Sequence, residues 1–295
     1  MSMLLIRGTF KVSGGARPDG DTLPFIPDDV AEWRLVPGCT RILPGADGRA
    51  PVRLEGVDAL ETHYGVGEQE QHQPLEFAHR AADELLGWLG FTHVQRHDDE
   101  TVTTVPEQVP GYILTRGTDA HGRCVALVGR RVPPAYSGYW IDVSEKQLKK
   151  TANYHLVASG LAYPTFYTGL PGFMRGVFSD AAQAARAATT PEGRGLWAAD
   201  VTLTGAKITG MSSLTARNGA VILPKLFRRL KDYLDLNPED PSLACFPAFL
   251  AGAADTYRIP QRPKQLTGLQ HIVEISNGHT VRMTHHAEEI VFDEK

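Results

Sequence analysis

Five short strand-like segments fall within the first 130 residues, and each ends in a turn signal or a polar loop. They are "LLIRGTFKV" (4–12), "DGDTLPFI" (19–26), "VRLEGV" (52–57), "GYILTRG" (111–117) and "RCVALVGR" (123–130). The third shows the pattern best. Val52 and Leu54 are apolar while Arg53 and Glu55 are charged, the signature of a half-buried strand. Gly56 breaks the alternation, which places Arg53 on the wet face and Asp58 and Glu61 on the turn that leaves the strand. Strands this short and this numerous need their edges closed or covered.

Helical patterns lie between and after them. "PLEFAHRAADELLGWLGF" carries an apolar stripe of Leu75, Ala78, Ala82, Leu85, Leu86 and Leu89, with Pro74 suited to its first turn. Residues 153–162 and 178–188 read as two more helices, the second with Ser179 or Asp180 as its cap. The expected class is therefore mainly β with α (α+β). Its centre is a five-stranded Greek-key barrel of the OB type with helices packed outside. The Pro-, Gly- and Asp-rich residues 27–51 and the irregular residues 131–150 read as insertions, and the polar stretch Thr62–Gln73, with two glycines, as a mobile loop.

Residues 1–200 form the expected barrel domain, and a composition change marks 201–295 as a small α/β accessory unit that the site does not need. Its "ILPKLFRRLKDYLDL" is an amphipathic helix. Leu226, Phe227, Leu230, Tyr233 and Leu234 lie on one side, and Lys225, Arg228, Arg229 and Lys231 on the other, expected to be a solvated basic face. Asn277-Gly278 between alternating runs signals a hairpin.

Composition excludes several classes. A net charge of −4 does not suit a protein that coats nucleic acid by bulk charge. Cys39, Cys124 and Cys245 are far apart, without a C-x-x-C, which argues against a disulfide framework or a zinc-thiolate site. No apolar run is long enough to span a membrane, and the N-terminus lacks the features of a signal peptide, so a cytosolic location is expected.

Three pieces carry chemistry together: "PDGDT", "VRLEGVDALETH" and "DAHGRCVALV". Alone, each reads as an ordinary strand end or turn. Together they bring Asp21, Arg53, Asp58, Glu61 and Arg123 to strand ends of one barrel. Hydrolysis of a phosphodiester builds negative charge on phosphorus, and the planar fork of arginine matches phosphate oxygens. Carboxylates without soft partners suit calcium or magnesium, and a further acid can position or deprotonate water.

The ordered set "DGDT", "VRLEGVDALE", "DAHGRCVALV", "NYHLVASGLA" and "AARAATTPEGRGLW" resembles the staphylococcal nuclease (thermonuclease) family from about Leu4 to Asp200. The resemblance implies a calcium-dependent nuclease that cuts DNA or RNA and leaves 3′-phosphates. Asp21 and Asp58 would ligate calcium with the main-chain carbonyl of Ala59, and Asp19 would sit in the outer shell. Arg53 and Arg123 would hold the phosphate, and Glu61 would orient or activate water. Phe166, Tyr167, Tyr163 and His121 are the candidates beside the nucleotide. For the three aromatics, packing is an equal alternative, and for His121 a solvent-facing turn position. The family usually has proline where this chain has Leu60, a change expected to loosen the placement of Glu61. The competing reading is a non-catalytic nucleic-acid- or protein-binding module on the same barrel, against which the presence of all five charged residues weighs.

Overall fold

The structure is a computed structural model that describes residues 2–12, 15–260, 262 and 264–293. Five strands, β1 (Ser2–Lys11), β2 (Thr22–Pro27), β3 (Ala50–Leu54), β4 (Gln108–Thr118) and β5 (Cys124–Arg130), pair in the order β2-β3-β5-β4-β1. β1 also pairs with β2, so the sheet closes into a barrel. The β3–β5 pairing is parallel and the others are antiparallel. Closure satisfies both edges of strands too short to stand alone. Phe10, Phe25, Val52, Leu54, Ile113 and Val128 are buried within it.

The two insertions are structured. Residues 27–51 contain a short 3-10 helix, Val30–Leu35, whose buried Trp33 donates its ring N–H to the carbonyl of Gly48 at 2.9 Å. Residues 131–150 add a strand, Trp140–Asp142, beside the start of β1, and a short helix with a capping box on Ser144.

Helix α1 (Leu75–Leu89) buries Ala78, Ala82, Leu85, Leu86 and Leu89 of the expected stripe. It ends at Gly90, which adopts a left-handed conformation with φ 116°. Helix α2 covers Ala152–Ala158. Helix α3 runs from Gly172 to Arg186 and starts six residues earlier than its sequence suggests. Met174 and Phe178 belong to its buried face, and Ser179 is no cap. The Ser179 hydroxyl donates to the carbonyl of Arg175 at 2.8 Å, the back-bonding of a mid-helix serine.

The C-terminal region was expected to pack by itself. Its elements reach back instead. Strand Val291–Phe292 pairs in parallel with Phe166–Tyr167, and Arg186 on α3 forms an ion pair with Glu288. The buried apolar residues make one continuous core from Met3 to Phe292. The Asn277-Gly278 turn joins strands Val273–Ser276 and Thr280–Met283, with both turn residues left-handed. Among the described residues, no helix is long and apolar enough to cross a membrane.

The cysteines have different surroundings. Cys39 and Cys245 are exposed, whereas burial pushes the Cys124 thiol up to about 12. A disulfide reagent should therefore modify two thiols quickly in the native protein, and the third only after unfolding. Rapid modification of all three would place Cys124 outside the barrel interior.

Candidate active site

The site is built at one rim of the barrel from segments distant in sequence. β2 and β3 pair with Thr22 opposite Arg53, so Asp21 stands just ahead of β2 and beside Arg53. The carbonyl of Asp21 accepts from the backbone of Leu54 at 2.8 Å, which extends the pairing by one bond. Gly20 allows this approach, because a Cβ there would lie 2.6 Å from the Cβ of Ala59 and 2.8 Å from that of Ala81. After β3 the chain turns at Gly56, with φ 74° and no space for a side chain beside Phe178. It then pairs Asp58 with Tyr163 in a two-residue ladder.

These constraints bring Asp21, Arg53, Asp58 and Glu61 into one cluster. Arg53 pairs with Asp21 and donates to Asp58 at 2.8 Å and to the carbonyl of Val57 at 3.1 Å. Asp21 accepts from the backbone of Ala59 at 2.9 Å and from the Thr22 hydroxyl at 3.0 Å. Asp19 accepts from the backbone and hydroxyl of Thr62 at 3.2 and 2.6 Å. Leu60 is fully buried, and the backbone N–H of Glu61 donates to Gln73 at 3.2 Å. The Leu60 side chain and this amide are what hold the turn where the family has proline.

The fourth charged partner comes from the C-terminal region. Helix α4 (Pro224–Leu234) directs Arg228 into the cluster, where it reaches Asp58 at 3.1 Å and pairs with Glu61. The solvated basic face expected from the sequence is therefore corrected. Lys231 is buried and pairs with Asp235 at 2.6 Å, Arg229 holds Asp255 at 2.7 Å, and Lys225 lies 3.4 Å from the same carboxylate. Acids on other elements answer Arg228, Arg229 and Lys225, and Asp235 at the C-terminal cap of the helix itself answers Lys231.

Electrostatics follow from burial against these pairings. Burial pushes the Asp58 carboxyl upward, but Arg228 and Arg53 outweigh it and hold the group below the usual range. Burial pushes Glu61 up to about 8 despite Arg228, with Asp19, Asp21 and Asp58 adding repulsion. Asp19 is raised by burial and then by Asp21. Burial lowers both Arg53 and Arg228, yet their carboxylate neighbours more than reverse it, so both stay charged.

Other expected residues lie apart. Arg123 sits two positions before Val125, the register partner of Arg53, and its guanidinium turns to Asp119 at 2.7 Å. His121 is exposed on the same turn, its backbone N–H bonded to Asp119 at 3.0 Å. Tyr163 and Phe166 are corrected from base-stacking candidates to core residues. Tyr163 is 1% exposed, stacks edgewise on Trp197 and donates to Asp200 at 2.7 Å. Phe166 is 1% exposed against Phe178. Tyr167 is half-buried beside Phe292 and Lys225.

Sequence reasoning missed Arg228, Gln73 and Asn153. Gln73 links Glu61 to the C-terminal region, because its amide also donates to the carbonyl of Ile222 at 2.8 Å. The expected mobile loop is bonded as well: Tyr64 and Gln71 exchange backbone bonds, and the Tyr64 hydroxyl donates to Asp232 at 3.1 Å. Buried Asn153 accepts from Val128 at 2.8 Å and donates to Glu55 and Ala126 carbonyls at 2.9 and 3.0 Å, which ties α2 to the ends of β3 and β5. Gln73 carries no signal in the sequence, and Asn153 opens the motif "NYHLVASGLA" without any sign of its bonds to the strands. Only the charges on the α4 pattern hinted at Arg228. Compared with models of known protein families and with curated proteins, the chain matches none.

Proposed function

We propose that this chain hydrolyses phosphodiester bonds in DNA or RNA, on a barrel of the OB type, leaving a 3′-phosphate. The observation that supports it is the convergence of Asp21, Arg53, Asp58 and Glu61, drawn from two stretches of sequence, on one rim. Arg53 is fixed by two acids and a carbonyl, so its fork costs little to organise when charge builds on phosphorus. Arg123 is held by Asp119 within the turn that joins β4 to β5, from which it can turn to a non-bridging oxygen. Burial pushes the Glu61 carboxyl up to about 8, so its ionised form is a stronger base toward the attacking water than an ordinary carboxylate. That proton passes to the departing 5′ oxygen as the P–O bond breaks, so water is the co-reactant. Of the three aromatic candidates Tyr167 alone is not fully buried, which supports it as the one to meet a base, where stacking contributes ~1–3 kcal/mol.

Calcium, which the resemblance implies, would draw on Asp21, Asp58, Asp19 and the carbonyl of Ala59. Calcium takes ~6–8 oxygen ligands. Here both oxygens of Asp21 and both of Asp58 already accept from Arg53, Arg228, Thr22 or the Ala59 backbone. Among the described residues, no three His, Cys, Asp or Glu side chains are disposed around a common metal position. The set as arranged does not fit a divalent ion, and the steps above use none.

The test is cleavage of single- and double-stranded DNA and of RNA by the full chain and by Glu61→Gln. The substitution should lower kcat by ~10²–10⁴, the usual worth of a positioned base. Equal rates for the two proteins, or no cleavage of any substrate, would end this reading.

A further inference from the structure

Asp58, one of the carboxylates that calcium would bind, is gripped by a guanidinium from the far end of the chain, and Arg53 bridges it to Asp21. We propose that Arg228, with Arg53, supplies the resident positive charge of this site by holding a carboxylate that a divalent ion would need, and that it positions Glu61 without a metal. The inference rests on the hydrolase reading for its chemistry, while its geometry stands independently.

Three observations carry it. First, Arg228 bridges the acids: it reaches Asp58 at 3.1 Å and also pairs with Glu61. Arg53 takes the other side of Asp58 at 2.8 Å. Asp58 is 0% exposed, so a dication would have to displace one guanidinium from a buried anion without water to replace it.

Second, the arginine is not on a detachable element. Leu226, Phe227 and Leu230 on α4 are fully buried, and Phe227 packs edgewise on Tyr64 beside the site. Arg229 and Lys225 are anchored on Asp255, and the Gln73 amide fixes Ile222 just before the helix. The helix is built into the core, which makes Arg228 a standing member of the site.

Third, the chemistry is adequate. Arginine remains protonated and offers several directed N–H donors, so it supplies fixed positive charge and orients the Glu61 carboxylate. The reaction still balances. Water gives its oxygen to phosphorus and its proton to Glu61, the P–O5′ bond breaks, and the 5′ oxygen leaves with the electron pair and receives that proton. Arg228 touches Glu61, not the reacting atoms, and is a positioning residue.

The experiment is a calcium titration by calorimetry on the full chain and on Arg228→Gln, with cleavage assayed in chelator. The wild-type chain should bind no calcium at this site and cleave equally well with and without chelator. Arg228→Gln should gain a calcium site at least ~tenfold tighter, a difference of about 1.4 kcal/mol, and lose it again when Asp21→Asn is added. Should Arg228→Gln fail to fold, Arg228→Lys keeps the charge, and it should fold and bind no calcium. The proposal is overturned if the wild-type chain binds calcium in a way that Asp21→Asn abolishes. It is equally overturned if a folded Arg228→Gln binds no better than wild type, if Arg228→Lys binds calcium, or if chelator stops wild-type cleavage. Absence of cleavage in every buffer would remove the hydrolase reading alone, because the titration still decides what Arg228 replaces.

Discussion

A chain ended after Asp200 is expected not to fold. The cut removes Arg228 and leaves buried Asp58 with Arg53 as its remaining guanidinium. Breaking a buried ion pair on one side costs ~3–5 kcal/mol. It also removes the Ile222 carbonyl that accepts from the buried Gln73 amide, where an unmade bond costs ~1–3 kcal/mol. Phe166, Tyr167 and Tyr64 lose the neighbours Val291, Phe292 and Phe227 that cover them. Exposing a large apolar side chain costs ~1.5–3 kcal/mol. These losses are of the same size as the ~5–15 kcal/mol that holds a typical domain folded. Circular dichroism should show no cooperative thermal transition for residues 1–200. A sharp transition near that of the full chain would mean the C-terminal region is an independent unit.

Asp58→Ala should be the most damaging single substitution at the site. Both of its oxygens are committed, it is fully buried, and it lies between two arginines. Removal takes away the anion the two guanidinium groups share, leaving Arg53 with Asp21 and Arg228 with Glu61, at a cost of ~3–5 kcal/mol. Urea unfolding should show a lower midpoint with an unchanged slope. The loss should shrink when Arg228→Met is made in the same chain, because one of the two cations that Asp58 served is then gone. Equal costs in the two backgrounds would mean that Asp58 and Arg228 are not energetically coupled. The comparison is a double-mutant cycle, which isolates the pair from the rest of the packing.

Much of the barrel was legible in the sequence. The alternation of Val52, Arg53 and Leu54 determined which side chains face the interior, because a strand repeats every two residues whatever it pairs with. The breaks at Gly20 and Gly56 set where the chain turns, and so put Asp21, Asp58 and Glu61 at the rim. Helix α1 followed from its stripe and the Asn277-Gly278 hairpin from its turn chemistry, both local properties. The start of α3 did not, since Gly172, Met174 and the residues around them gain helical structure from packing on the core more than from propensity.

Tertiary structure alone decided the rest. The α4 pattern specified an apolar side and a charged side, but periodicity says nothing about what a face will meet. Arg228 meets Glu61 across 167 residues of sequence, and Lys225 and Arg229 meet Asp255, because the apolar side of α4 packs on Tyr64 and on Phe246 and Phe249 and so holds the basic side against buried acids. In the same way, Tyr163 and Phe166 became core because the strand Val291–Phe292 and Trp197 close over them. A guanidinium is stable away from water only beside a carboxylate, and which carboxylate that is depends on how distant elements pack.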